Sequence, residues 1–499
     1  MRTEAAIELT GPAASQTAQA STSGPLDRVI FGALLVLMAF VAIPYGSVPP
    51  WAEAVFECSI FALGAMWIID GLLKGAWGVR EPRLFVPLIA IIVFAFVQAI
   101  PWGGSAAGIQ AELWRSVSTD PYETRRFGLK LLALTLSGLL LLRYTSNQRR
   151  LHMLIHVVIG IGVASAVFGI LRQVFQGNAP NALLPQLSFD RSYAQFIDRN
   201  HFAFLIEMVL GLVLALMLGR GMRRDRRLIY LAVAFLLWAA LVLSSSRGGI
   251  FTMVCQLLFL GLLFSAPGPS RTTRREESSR ARVWLQRLNK SFMLRAALIM
   301  CLMLGVTVSI VWVGGDPLMH RLETMPREFS ANDDDKRINT RRVEIWQATW
   351  RLIKVHPITG IGFGAYWISF PAYHDASGPF TPDEAQLRPL AAHNDYLELL
   401  ASGGLIGAAL GAWFIISLIR CSLERLRSSR DPFRRTACFG ALIGMFGVGV
   451  HSLVDFGLHD TVNAFIFTAL VVIATVNLAT VPSDMSLSAA EGRINLTTI

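Results

Sequence analysis

His393-Asn394-Asp395-Tyr396-Leu397-Glu398-Leu399-Leu400-Ala401-Ser402-Gly403-Gly404-Leu405-Ile406-Gly407 is the stretch on which the reading of this chain turns. It closes a long polar segment and runs straight into an apolar helical pattern. A His-Asn-Asp cluster at such a boundary needs water, hydrogen-bond partners or a substrate to offset its polarity, and paired glycines let a second backbone or a ligand come close. The cluster reads as chemistry or as the cap of a helix.

The rest of the chain decides what kind of boundary this is. Of its 499 residues, 53% are hydrophobic and 16% charged, and the mean hydropathy is +0.50. That leaves too little polar surface to cover a soluble protein, so the expected fold is an all-α polytopic membrane protein. Apolar runs long enough to cross roughly 30 Å of hydrocarbon recur near 27–45, 52–73, 84–101, 127–144, 151–174, 201–219, 228–245, 249–266, 294–313, 403–420, 436–454 and 460–479, which predicts about twelve transmembrane helices. The formal charge of +11 does not point to nucleic acid. Lys74, Arg80 and Arg83, then Arg143, Arg149 and Arg150, then Arg220 to Arg227, Arg271 to Lys290 and Arg425 to Arg435 all fall at or after the ends of even-numbered spans. Those loops are cytoplasmic by the positive-inside rule, with both termini. Five cysteines, Cys58, Cys255, Cys301, Cys421 and Cys438, lie in or beside apolar spans without metal-ligand spacing, so neither a disulfide framework nor a metal site is expected.

The expected organisation is a disordered cytoplasmic tail (1–25) with no cleavable signal peptide, a bundle of helices 1–9 (26–313), one long extracytoplasmic loop (314–392), the His-Asn motif with helices 10–12 (393–480) and a second cytoplasmic tail (481–499). In the long loop Val343, Trp346, Trp350 and Ile353 recur at helical spacing opposite Arg341, Arg342 and Glu344, the pattern of an amphipathic helix lying near the membrane surface. The following His356-Pro357-Ile358-Thr359-Gly360-Ile361-Gly362-Phe363-Gly364 has alternating glycines. It lacks the preceding strand and following helix of a dinucleotide-binding loop, so that reading is rejected.

Polar residues at the outer ends of the spans are the chemical candidates. Arg199-Asn200-His201-Phe202-Ala203 opens the sixth span, and Glu207 sits roughly 9–12 Å further along the axis, where an ionised carboxylate needs a cation. Ser244-Ser245-Ser246-Arg247-Gly248-Gly249 joins the seventh and eighth spans. A guanidinium beside glycines suits a phosphate, which it can grip with two bonds. The plainer readings stand beside these: Arg199 and Arg247 as interfacial anchors, Glu207 as the neutraliser of an arginine, and Asn394 or Asp395 as a helix cap with Glu398 completing a capping box from Asp395. His393 precedes that cap and is left for another role.

His393-Asn394, then nine residues, then Gly404, resembles the loop-to-helix motif of the O-antigen ligase and Wzy-type polymerase family, and the segment from His356 to Gly407 resembles that family's core. Arg199-Asn200-His201-Phe202-Ala203 with Glu207, and Ser246-Arg247-Gly248, are similar to its other outer-face elements. The resemblance implies a glycosyltransferase of the bacterial inner (cytoplasmic) membrane with its active site facing the periplasm. It implies a glycan donor carried on undecaprenyl pyrophosphate, a glycan or lipid A core acceptor, and no metal or other cofactor. Inner-membrane lipids, a chain-length regulator and a flippase are the implied partners. In this reading His393 is the catalytic general base and Arg199 and Arg247 bind pyrophosphate. Glu207, Arg341, Arg342, Asn394 and Asp395 are further donor or acceptor contacts, and the helix of Arg341 and Arg342 is a lid. Ligases, repeat-unit polymerases and protein O-oligosaccharyltransferases share these residues. A lipid-linked glycan flippase is the rival from another class, and it requires midplane sites in broken helices.

Overall fold

A computed structural model of the protein describes residues 24–75, 82–101, 116–175, 192–219, 224–265, 336–374 and 389–478. Eleven of the predicted spans appear there as helices: α1 (Pro25–Val41), α2 (Pro50–Lys74), α3 (Val86–Gln98), α4 (Pro121–Tyr144), α5 (Gln148–Phe175), α6 (Arg199–Leu218), α7 (Arg224–Leu243), α8 (Arg247–Ser265), α10 (Asp395–Ser428), α11 (Pro432–His451) and α12 (Thr461–Thr475). The amphipathic helix of the long loop is α9 (Lys336–Val355). The predicted span at 294–313, the basic run Arg271 to Lys290, and nearly all of both predicted tails lie outside the described residues. Among the described helices, α2, α4, α5, α6, α7, α10 and α11 are long and apolar enough to cross a membrane, and the apolar parts of α3, α8 and α12 are shorter. The chain is an all-α polytopic membrane protein.

Local sequence sets where these helices begin. Asp120 accepts from the backbone N–H groups of Tyr122 and Glu123, with Pro121 in the first turn of α4; Asp431 does the same for Phe433 and Arg434, ahead of Pro432 in α11. Asp198 caps α6 through the N–H of Asn200. An acceptor side chain satisfies the orphan donors of a first turn, and proline needs no donor there. α6 is the central post, with 94% of its apolar window buried. It packs closely on α11, where a Cβ at Gly440 would come 2.9 Å from the Leu212 Cα. Small residues at that contact let two backbones approach, as membrane helix pairs require.

The glycine-rich segment His356–Gly364 is a docking surface for backbone. Ile361 and Gly362 donate to the carbonyls of Ala401 and Ser402 (both 3.0 Å), while Leu405 donates to Pro357 O (2.8 Å). α10 is broken where it meets this loop: Gly404 has φ 60° and ψ −161°, a region open essentially to glycine alone, and a Cβ there would collide with the Ile358 carbonyl. The alternating glycines thus serve chain-to-chain approach beside a kinked helix. α9 lies over the same corner, its Ala348 and Leu352 buried with Ile361, Tyr366, Ala392 and Ala401. The Trp346 indole N–H donates to Ala392 O (3.0 Å).

Candidate functional site

The opening stretch folds as a strained residue followed by a cap. His393 has φ 50°, the left-handed region uncommon for a residue with a Cβ. Asn394 is the N-cap of α10: its Oδ1 accepts from the N–H groups of Tyr396 and Leu397 (both 3.0 Å), and its Nδ2 donates to Leu453 O (2.8 Å). Asp395 instead faces the α11–α12 turn, accepting from Ser452 Oγ (2.6 Å). The capping box expected between Asp395 and Glu398 does not form. Helix numbering starts one residue earlier than that expectation, so Glu398 reaches back to accept from Ala392 N (2.8 Å).

The site is organised by Asp455, a residue of the α11–α12 turn that sequence reasoning passed over. Its side chain is 1% exposed. Oδ1 lies 3.3 Å from His393 Nδ1, and Oδ2 accepts from Asn200 Nδ2 (2.6 Å) and sits 3.5 Å from Arg342 Nη2. Asn200 Oδ1 in turn accepts from Ser246 Oγ (2.8 Å), the neighbour of Arg247. One chain of polar contacts therefore joins the starts of α6, α8 and α10 to α9. Burial alone would raise the Asp455 carboxyl; the hydrogen bond from His393 and the charges of His201, His393 and Arg342 outweigh it and hold the group well below the usual carboxylate range. The carboxylate is ionised, and it favours the proton on His393 Nδ1, leaving Nε2 with its lone pair.

Arg199 and Arg247 open α6 and α8, and both are partly exposed at this end of the bundle. Arg342 joins the site through Asp455, a stronger placement than its position on a surface helix suggests. α9 includes Arg341, whose side chain lies outside the described residues. Glu207 corrects an expectation. Its partner is His451, whose Nδ1 lies 2.9 Å from Oε1, with both side chains fully buried, in place of the arginine of its plainer reading. The Ser246-Arg247-Gly248 turn fits against that pair, because a Cβ at Gly248 would strike the His451 ring. His201 is held by Asp460, Nδ1 to Oδ1 3.0 Å. The sequence does carry a signal for Asp455: it is an acidic residue in a short turn on the side predicted for Arg199, Arg247 and His393.

These features define a polytopic membrane protein with a cationic, carboxylate-centred site where several of its helices begin. A family model described as O-antigen ligase matches residues 231–412, so that stretch of the chain is similar to that family. The match includes Arg247, Arg342 and His393; Asn200 and Asp455 reach the same site from outside it. No curated protein matches the chain.

Proposed function

We propose that the protein is an integral membrane glycosyltransferase that moves glycan from undecaprenyl pyrophosphate to an acceptor on the periplasmic face, as the O-antigen ligase of lipopolysaccharide assembly. The observation that carries this reading is the Asp455 hub, which ties His393 to Asn200 and Arg342, and through Asn200 to the Ser246-Arg247 turn. In this mechanism an acceptor hydroxyl attacks the anomeric carbon of the donor sugar. The new C–O bond forms as the bond from that carbon to the pyrophosphate oxygen breaks, and the leaving group takes the bonding electrons. His393 Nε2 accepts the hydroxyl proton, the general-base role of a positioned imidazole. Asp455 orients the ring and stabilises the imidazolium. Guanidinium groups of Arg199 and Arg247 face the charge that develops on pyrophosphate, the kind of preorganised electrostatics that lowers such barriers most.

The site stands at helix ends, without the midplane position a transporter needs. The test is a chromosomal deletion analysed by glycan gel, with purified His393→Ala protein assayed on defined donor and acceptor. Loss of surface polymer with long lipid-linked chains accumulating supports the ligase. A single repeat unit still reaching the acceptor supports a polymerase, and loss of modified proteins alone a protein transferase. Full transfer by His393→Ala protein rejects the base.

A further inference from the structure

A second site adjoins the first. Between α3, α4, α10 and α12 runs a cavity of about 740 Å³ whose wall is apolar along most of its length, with Leu131, Leu134, Phe363, Phe414, Phe467 and Val471 among its residues. On α4 it extends from Glu123 to Leu134, roughly 16 Å along the helix axis. Its polar lining is confined almost wholly to the end where α2, α4, α10 and α12 begin, where Glu53, Glu123, Arg126, Lys130, Asp395, Glu398 and His459 meet. An apolar trough with one polar mouth at a membrane boundary has the shape of an amphiphile.

The mouth's charge selects the head. Its two long cations already have partners: Arg126 contacts Glu123 (3.0 Å) and Glu53 (3.6 Å), and Lys130 contacts Glu53 (3.4 Å) while donating to His459 O (2.8 Å). His459 Nε2 stands 3.5 Å from Glu398 Oε1 and 3.8 Å from Asp395 Oδ1. With both of its long cations engaged by carboxylates, the mouth disfavours a pyrophosphate, whereas its carboxyl oxygens accept readily from sugar hydroxyls. Arg342 and, through Asn200, the Ser246-Arg247 turn meet Asp455 at Oδ2, whereas His393 meets it at Oδ1. The Phe456 ring touches both regions, with its centroid 4.8 Å from the His393 ring and 5.3 Å from the His459 ring.

We propose that this groove seats the apolar tail of a lipid-anchored acceptor whose head presents uncharged sugar hydroxyls to Asp395, Glu398 and His459, so that acceptor and anionic donor approach His393 from opposite sides. The assignment of the occupant as acceptor rests on the glycosyl-transfer reading; the existence of the tail site does not. The probes are an alkyl glucoside with a diazirine in its chain and an alkyl phosphate of the same chain, each photolysed with the purified full-length protein and mapped by mass spectrometry. The glucoside is expected to label the groove wall, with labelling reduced about tenfold in Leu134→Trp and Phe414→Trp, a factor in keeping with losing the burial of a few methylene groups. In the same variants KM for a lipid-anchored acceptor rises while kcat holds. His459→Gln, at the mouth, is expected to weaken glucoside labelling and leave phosphate labelling unchanged. Labelling elsewhere on the bundle, or groove labelling equal for both probes in wild type, overturns the proposal. Unchanged transfer in both groove-filling variants sinks the groove as acceptor seat and leaves the transferase reading standing. Groove labelling in a protein that transfers glycan to no acceptor sinks that reading and retains the tail site.

Discussion

Asp455 is the residue whose removal separates a base from a bystander. With its side chain 1% exposed and in contact with His393, Asn200 and Arg342, an amide in its place keeps the volume and removes the charge that favours the Nδ1 proton and stabilises the imidazolium. Asp455→Asn is expected to lower kcat by about 100-fold, the lower range of a general-base contribution, in a defined donor and acceptor assay. An unchanged kcat would make the hub a structural brace. Its pH signature is also fixed. Because the folded-state value lies below the unfolded one, despite the opposing effect of burial, through His393, His201 and Arg342, the unfolded chain takes up the proton first as pH falls. Stability from this carboxylate is therefore complete above its ordinary value of about 3.9 and is lost as pH falls from there toward the folded value. The difference in detergent melting temperature between wild type and Asp455→Asn is expected to hold steady from pH 8 to 5 and to shrink below about pH 4. A difference that vanished between pH 6 and 7 would assign the effect to a histidine.

At the scale of the elements, the kink in α10 is what brings His393 to the other motifs. Gly404 turns the helix at φ 60° and ψ −161° against the Ile358 carbonyl, so Gly404→Ala carries a backbone strain of about 1–3 kcal/mol before any collision is counted. The expected result is a lower melting temperature and lost transfer, with Gly411→Ala, further along the helix and meeting only the flexible end of Leu399, close to wild type. Equal melting temperatures for the two variants would show that the kink is not required. Much of this element was legible: the glycine pair, the polar boundary and the apolar run mark a helix that starts near residue 395 and enters a tightly packed setting near 404. The starts of α4, α6 and α11 fall two to six residues ahead of the apolar runs at 127, 201 and 436, because Asp120-Pro121, Asp198 and Asp431-Pro432 cap the helices before hydrophobicity begins. What could not be read was any contact across the fold. His393, Asn200 and Asp455 are far apart in the chain, as are Glu207 and His451, and neither periodicity nor charge order selects one carboxylate from the several that the outer turns offer.

For the molecule as a whole, the distribution of arginine and the placement of the site make one joint statement about the membrane. The starts of α2, α4, α6, α8, α10 and α12 share the end that holds His393 and Asp455, and the α10–α11 connection, with Arg425, Arg427, Arg430 and Arg435 in or beside it, lies at the other. If the positive-inside rule governs insertion, the first end faces the periplasm. Leu453, 49% exposed in the α11–α12 turn, and the exposed Arg430 report on the two ends. In a background cleared of the five native cysteines, Leu453→Cys is expected to react with a membrane-impermeant maleimide added to spheroplasts, and Arg430→Cys only after lysis. The opposite pattern would put the site in the cytoplasm. There the His393 chemistry would need a donor before it is flipped, and the proposed ligase would fail even with every contact of Asp455 intact.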